Sequence, residues 1–266
     1  MLVDRMEALT RRNYILVIAH PDDESMFFLP MIYNILHDAN YKCNKSSLHI
    51  LCLSNGNYDK LGAIRERELH AAVALISHQI KVTIVRNSKL LDGPKESWSC
   101  HLIGTILVGY IQKEKIDKQP VTTLVTFDKG GVSGHANHVN THEGVLDFYL
   151  KNHLDLDLEL WTLVSIENIV KKYVPILPVL RLVFMWIFSF GQRRHIKMEG
   201  MNQCSFMMMD PMLVWRAMNA HYTQFVWYRR LFVVFSRYSY VNDFTVHKRQ
   251  VHVQVPVAGE DNKKLK

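Results

Sequence analysis

The apolar run Tyr14-Ile15-Leu16-Val17-Ile18-Ala19 passes without a break into His20-Pro21-Asp22-Asp23-Glu24-Ser25. An unbroken apolar run with β-branched residues and no polar alternation fits a strand covered on both faces, which places it in a parallel sheet between helices. Ser25 to Ile32 then reads as a helix with an apolar face. An imidazole and three carboxylates thus sit where the chain leaves the C-terminal end of a buried strand, and open α/β sheets take their ligands at such ends. Three neighbouring acids repel one another unless a cation joins them, and His nitrogen with Asp oxygen is a ligand set that zinc accepts. An acidic surface loop whose Asp or Ser caps the next helix has the same letters. Alone, the stretch leaves both readings open.

A second stretch tips the balance. Thr122-Thr123-Leu124-Val125-Thr126-Phe127 is again strand-like and ends at Asp128, followed by Gly130-Gly131-Val132-Ser133-Gly134-His135-Ala136-Asn137-His138. Histidines three apart share one side of a helical turn. In a chain with 14 histidines such a pair arises by chance; its weight comes from the first loop. Two strand ends with metal-capable loops meet naturally at one edge of one sheet.

Strand and helix keep alternating. Ser47–Leu53, Lys81–Arg86 and Leu156–Val164 read as strands, and Leu61–Ser77, Ser99–Lys115 and about His138 to Lys151 as helices. The alternation predicts an α/β fold with a doubly wound, mostly parallel sheet flanked by helices. On the helix from Leu61, the inner positions are Leu61, Ile64, Leu69, Ala72 and either Leu75 or Ile76. Arg65 and Glu68 have the spacing of an ordinary helix-surface ion pair, worth roughly a few tenths of a kcal/mol. Further on, Ser205–Met209 reads as a short strand and Pro211–Phe225 as an aromatic-rich helix. Arg229, Arg230 and Arg237 alternate with Leu231–Phe235, a pattern that suits burial with basic heads at a rim.

Residues 174–190 depart from this pattern. They are almost wholly apolar, with Arg181 the only charge, Lys171-Lys172 before them and Arg193-Arg194 after. Spanning a bilayer takes about 20 apolar residues, so the run falls short. One reading is a buried core helix. The basic and aromatic flanks favour the other, a helix or re-entrant hairpin lying in a membrane interface.

Composition narrows the partners. Charged residues make up 21% and hydrophobic ones 48% of 266 residues, as in a globular chain with a sizeable core. The formal charge of +7 favours an anionic partner. No long Lys/Arg run and no aromatic-interleaved basic stripe supports nucleic acid, and nothing in the letters demands an obligate protein partner. Cys43, Cys52, Cys100 and Cys204 are scattered without metal spacing or a disulfide framework, which suits a reducing compartment. Met1 to Arg12 lacks a continuous apolar core, so no signal peptide is visible.

Ala19-His20-Pro21-Asp22-Asp23-Glu24, taken with Gly134-His135-Ala136-Asn137-His138, resembles the LmbE/PIG-L family of zinc-dependent de-N-acetylases. The eukaryotic branch is the nearer, through Val125-Thr126-Phe127-Asp128, Ser54 to Tyr58, Arg65 to Glu68 and Trp227 to Tyr238, with Asn137 where bacterial members carry Asp. The resemblance implies a Rossmann-like fold in a single domain over 1–258, with 174–190 as a membrane-associating segment and 259–266 as a polar tail. It implies Zn2+ held by His20, Asp23 and His138, with Asp22 as general base. His135 would stabilise the oxyanion and help protonate the leaving amine; Arg65 would contact substrate; Glu68, Asp128 and Asn137 would brace the site, and Glu24 would support the loop. The implied substrate is the glycophospholipid N-acetylglucosaminyl-phosphatidylinositol, met at the cytoplasmic face of the endoplasmic reticulum membrane. Two alternatives stand beside it: a soluble de-N-acetylase of another N-acetylglucosamine conjugate, and a non-catalytic glycolipid-binding relative.

Overall fold

The computed structural model describes residues 12–248 apart from 44–45, 117–120, 152–153, 155, 174–201 and 209. The expected membrane-associating segment at 174–190 and the tail at 259–266 therefore lie outside the described residues. β1 (Arg12–Ile18) leads through α1 (Asp23–Phe27) to α2 (Leu29–His37) and α3 (Ala39–Lys42). Next come β2 (Ser47–Cys52), α4 (Gly62–Ile76), β3 (Lys81–Ile84), α5 (Cys100–Lys113) and β4 (Val121–Phe127). They are followed by α6 (Gly131–Gly134), α7 (Ala136–Lys151), β5 (Leu158–Leu163) and α8 (Ile169–Tyr173). The last elements are β6 (Gln203–Met207), α9 (Pro211–Ala220), α10 (Trp227–Phe235) and β7 (Val241–Lys248).

The strands form one sheet of order β3-β2-β1-β4-β5-β7-β6. β3 through β5 in that order run parallel, with Leu16 paired to Ile50 on one side and Val125 on the other. β7 and β6 close one edge antiparallel, so the sheet is mixed rather than wholly parallel. Ile15 to Ala19, Leu51, Leu124, Val125 and Leu160 are completely buried, as continuous apolar strands require. After β1 the chain crosses to β2 on one side, and after β4 to β5 on the other. The crevice between their C-terminal ends is the switch point at which such sheets take ligands.

Two expected helices are divided. Ser25–Ile32 breaks at Phe28 (φ −119, ψ 0), because Pro30 has no N–H to continue α1 and instead opens α2. Asn242 of β7 covers that break, its amide donating to Phe27 O (2.8 Å) and accepting from Met31 N–H (3.0 Å). Pro211–Phe225 stops at Ala220, where the His221 carbonyl accepts from Gln224 and Phe225 N–H in a tight turn (2.9 Å each). On α4, Ile76 packs against the core and Leu75 is exposed. No helix among the described residues is long and apolar enough to cross a membrane.

α5 and α7 meet at Gly144, where an added Cβ would lie 2.6 Å from Ile103 side-chain carbons. Gly144→Ala should therefore destabilise the fold by about 1–3 kcal/mol through overpacking. Urea unfolding checks this, and a neutral result would show that the two helices can separate.

Candidate metal-binding active site

The loop after β1 is held in a shape that few residues adopt. Asp22 has φ 119 and ψ −21, outside the comfortable range of an L-residue. The fully buried Glu24 stabilises it: Oε2 accepts Asp22 N–H (3.1 Å), while Oε1 accepts Ser25 Oγ–H (2.6 Å) and faces His221 Nε2 (2.7 Å). Glu24 thus supports the loop. Asp23 Oδ2 accepts Ala19 N–H (3.1 Å) and His20 N–H (2.8 Å), which leaves Oδ1 turned to His138 Nε2 at 3.1 Å.

The loop after β4 turns through Gly131 (φ 53), Val132 (φ 63) and Gly134 (φ 74). Asp128 pins its start, accepting Gly130 N–H (3.0 Å), Ser165 N–H (2.6 Å) and the Ser165 hydroxyl. His138 Nδ1–H donates to Gly131 O (3.1 Å), and its ring stacks on Phe127 with centroids 4.2 Å apart. Its Nε2 is the nitrogen left with a lone pair for the site. His135 is set the other way. Its Nδ1 accepts Asn137 N–H (3.3 Å), so the neutral ring carries its proton on Nε2.

His20 has partners that the letters did not reveal. Its Nε2 lies 3.1 Å from both Asn137 Oδ1 and Asp92 Oδ1, so Nδ1 remains unprotonated, 4.0 Å from Asp23 Oδ2. The Asn137 side chain therefore orients His20, not His135, and also accepts Gly93 N–H (3.2 Å). Asp92 sits in what reads as a plain polar loop; no local pattern marks it.

Two arginines flank Asp22. Buried Arg65 donates to Pro21 O (2.9 Å), Gly56 O (2.9 Å) and Asp92 Oδ2 (3.0 Å), and lies 3.6 Å from Asp22 Oδ1. Gly56 (φ 68) makes room for it, since a Cβ there would strike the guanidinium. Arg229 of α10 pairs directly with Asp22 Oδ2, a contact that its reading as a rim residue missed. Glu68 braces the tail rather than Arg65, accepting Thr223 N–H (2.9 Å) and Oγ–H (2.7 Å).

Electrostatics follow the geometry. Burial alone would raise the Asp23 carboxyl, but His138 and His20 beside it, with the hydrogen bonds they share with it, outweigh burial and hold Asp23 well below the usual carboxylate range. Burial alone would lower His138, and the facing Asp23 raises it instead. Burial pushes His135 down, with His138 and His20 adding to the effect, so this ring is held neutral. Asp92 is lowered, its burial outweighed by His20 and Arg65.

These side chains line a cavity of about 750 Å³ whose far end is aromatic. The ligand atoms of His20, His135 and His138 lie within 4.8 Å of one another. Tautomers divide the three. His138 Nε2 offers a lone pair beside Asp23 Oδ1 and His20 Nδ1 another 4.0 Å from Asp23 Oδ2, each ring steadied through its other nitrogen, whereas His135 points a proton. Two imidazole nitrogens and a carboxylate with such outer partners fit a zinc-like cation.

Strand-end loops at the switch point of a doubly wound sheet, joined through a histidine-rich site able to hold a metal ion, define an α/β protein of the metal-centre type. The chain belongs to the PIG-L family: residues 15–149 match the model described as GlcNAc-PI de-N-acetylase. N-acetylglucosaminyl-phosphatidylinositol de-N-acetylase of Bos taurus is 32% identical over 232 residues, covering 86% of this chain and 81% of that protein. Its namesake in Saccharomyces cerevisiae is 34% identical over 252 residues, covering 87% and 80%. Among solved structures, N,N'-diacetylchitobiose deacetylase from Pyrococcus horikoshii superposes with a TM-score of 0.52 at 14% identity over 90% of this chain and 85% of that one. The zinc-inhibited form of teicoplanin deacetylase Orf2 gives 0.52 at 9% identity, over 90% of this chain and 99% of that one. At these identities the two structures speak for the fold alone.

Proposed function

We propose that the protein hydrolyses the N-acetyl group of N-acetylglucosaminyl-phosphatidylinositol, releasing acetate and glucosaminyl-phosphatidylinositol, the activity for which its relatives are named. The observation that carries the reading is the division of the site into a ligand set, a base and a donor around one cavity. His20, Asp23 and His138 hold the ion, Zn2+ by the chemistry of the donors. Bound there, the ion would supply Lewis-acid polarisation of the acetyl carbonyl and a lowered pKa for the attacking water. Asp22 accepts the water's proton, its carboxylate aimed by the Glu24 tether and by Arg65 and Arg229. His135 donates from Nε2–H to the developing oxyanion, a role suited to a ring held neutral. The proton collected by Asp22 is the one available to the departing amine. Arg65, which lines the cavity beside Asp22, contacts substrate.

The reaction takes place at the cytoplasmic face of the endoplasmic reticulum membrane, where a chain of formal charge +7 meets an anionic phosphodiester. Acetate release from the phosphoinositide in bilayers and from a soluble glucosamine conjugate, each with and without chelator, tests the whole reading. Chelator-sensitive release from the lipid, restored by zinc, is expected. Release from the soluble conjugate alone would refute the lipid substrate, and release from neither would leave a glycolipid-binding relative.

A further inference from the structure

Beyond the site, the cavity opens between α8 and α10. Tyr173, Tyr228, Leu231 and Phe235 line it and are at the same time exposed. The two helices touch through the rings of Tyr173 and Phe232, with centroids 6.1 Å apart, and Phe232 rests on Phe27 of α1 at 5.7 Å. α10 is thus anchored by an inner face of Phe232 and Val233, while its outer face carries Trp227, Leu231, Val234 and Phe235 where a surface helix has polar residues. On α8, Ile169 (73% exposed) and Val170 are exposed apolar side chains too, as is Trp227 (72% exposed) on α10. A contiguous exposed apolar patch around a cavity mouth marks an interaction surface.

Charge identifies the partner. Arg230 of α10 is exposed and makes no ion pair among the described residues, and α8 adds exposed Lys171 and half-buried Lys172, while Arg216, Arg229 and Arg237 face Asp210, Asp22 and Asp243. Apolar side chains rimmed by Trp, Tyr and cations match the boundary between acyl chains and anionic headgroups. We propose that the α8–α10 rim docks on an anionic phospholipid bilayer and seats the cavity mouth among the headgroups. A lipid-linked sugar then reaches Asp22 and His135 while its acyl chains stay in the leaflet. This last step rests on the proposed lipid substrate; the docking itself does not.

The test uses the full chain carrying Ile169→Ser, Val170→Ser, Trp227→Ser and Val234→Ser, exposed positions that do not line the cavity. Its partition onto vesicles of phosphatidylcholine with phosphatidylserine should fall about tenfold or more relative to wild type. Thermal unfolding and acetate release from a water-soluble substrate should be unchanged, while release from substrate in vesicles falls. Equal partition of variant and wild type would overturn the proposal, as would wild type remaining in the supernatant. Equal binding to pure phosphatidylcholine would refute the anionic partner. Wild type that binds vesicles yet releases acetate from no substrate would remove the hydrolase reading and leave the docking surface standing.

Discussion

Asp22→Asn should keep its metal and its fold while losing about 10²–10⁴-fold in turnover, and Asp23→Asn should lose metal and turnover together. The neighbours differ because their oxygens are used differently. Asn at position 22 tolerates positive φ and keeps one oxygen for Arg229, giving up only the longer 3.6 Å approach of Arg65 to the other, so the main loss is the proton acceptor. Asp23 needs both oxygens as acceptors, Oδ2 for two backbone N–H groups and Oδ1 toward His138 and the ion. An amide offers one oxygen, so either the loop or the metal loses its acceptor, whichever way the group turns. Metal stoichiometry of the purified variants, measured beside acetate release, separates the two. Full metal in Asp23→Asn, or rescue of Asp22→Asn by excess zinc, would reverse the assigned roles. His138→Ala should likewise lose metal, and a variant that kept both metal and activity would remove this histidine from the site.

Glu24→Ala should cost about 3–5 kcal/mol, the largest stability loss expected in the loop. The carboxylate is completely buried and serves three partners at once: Asp22 N–H, Ser25 Oγ and His221. Removing it strands the His221 ring, whose Nδ1 already has no hydrogen-bond partner among the described residues, and frees the strained backbone at Asp22. Glu24→Gln should cost less, because its oxygen still accepts from His221 and Ser25 while the NH2 faces Asp22 N–H. Denaturant unfolding of both variants gives the comparison. A loss below about 1 kcal/mol in Glu24→Ala would mean that water replaces the network.

The parts of this architecture that could be read from the letters are those written locally. β1 and β4 are continuous apolar runs, and the loops that follow them carry their chemistry within a few residues. What escaped depends on distant partners. Asn242 puts a polar side chain in phase with buried Phe244 and Val246 in β7, and its burial makes sense only beside the Phe27 carbonyl. The end of α9 has neither Gly nor Pro to announce it; the turn is fixed by His221 on Glu24 and Thr223 on Glu68. Asp92 and Arg229 look like ordinary surface charges until the fold brings them to His20 and Asp22. Asn137 invites comparison with a histidine-orienting carboxylate, and the structure gives it to His20 because its side chain leans back toward the Gly93 loop.

The pairing of Asp22 with Arg229, and of Glu24 with His221, has a consequence for the order in which the molecule is made. These acids leave the ribosome early and wait for partners 207 and 197 positions later in the chain. Until residues 221–229 arrive, Glu24 lacks His221 and Asp22 has Arg65 alone of its two arginines. Domains generally fold from the N-terminus as synthesis proceeds, at about 5–20 residues per second. This centre is therefore among the last parts of the protein to form, and a chain cut short after its central strands carries the motif without the catalyst.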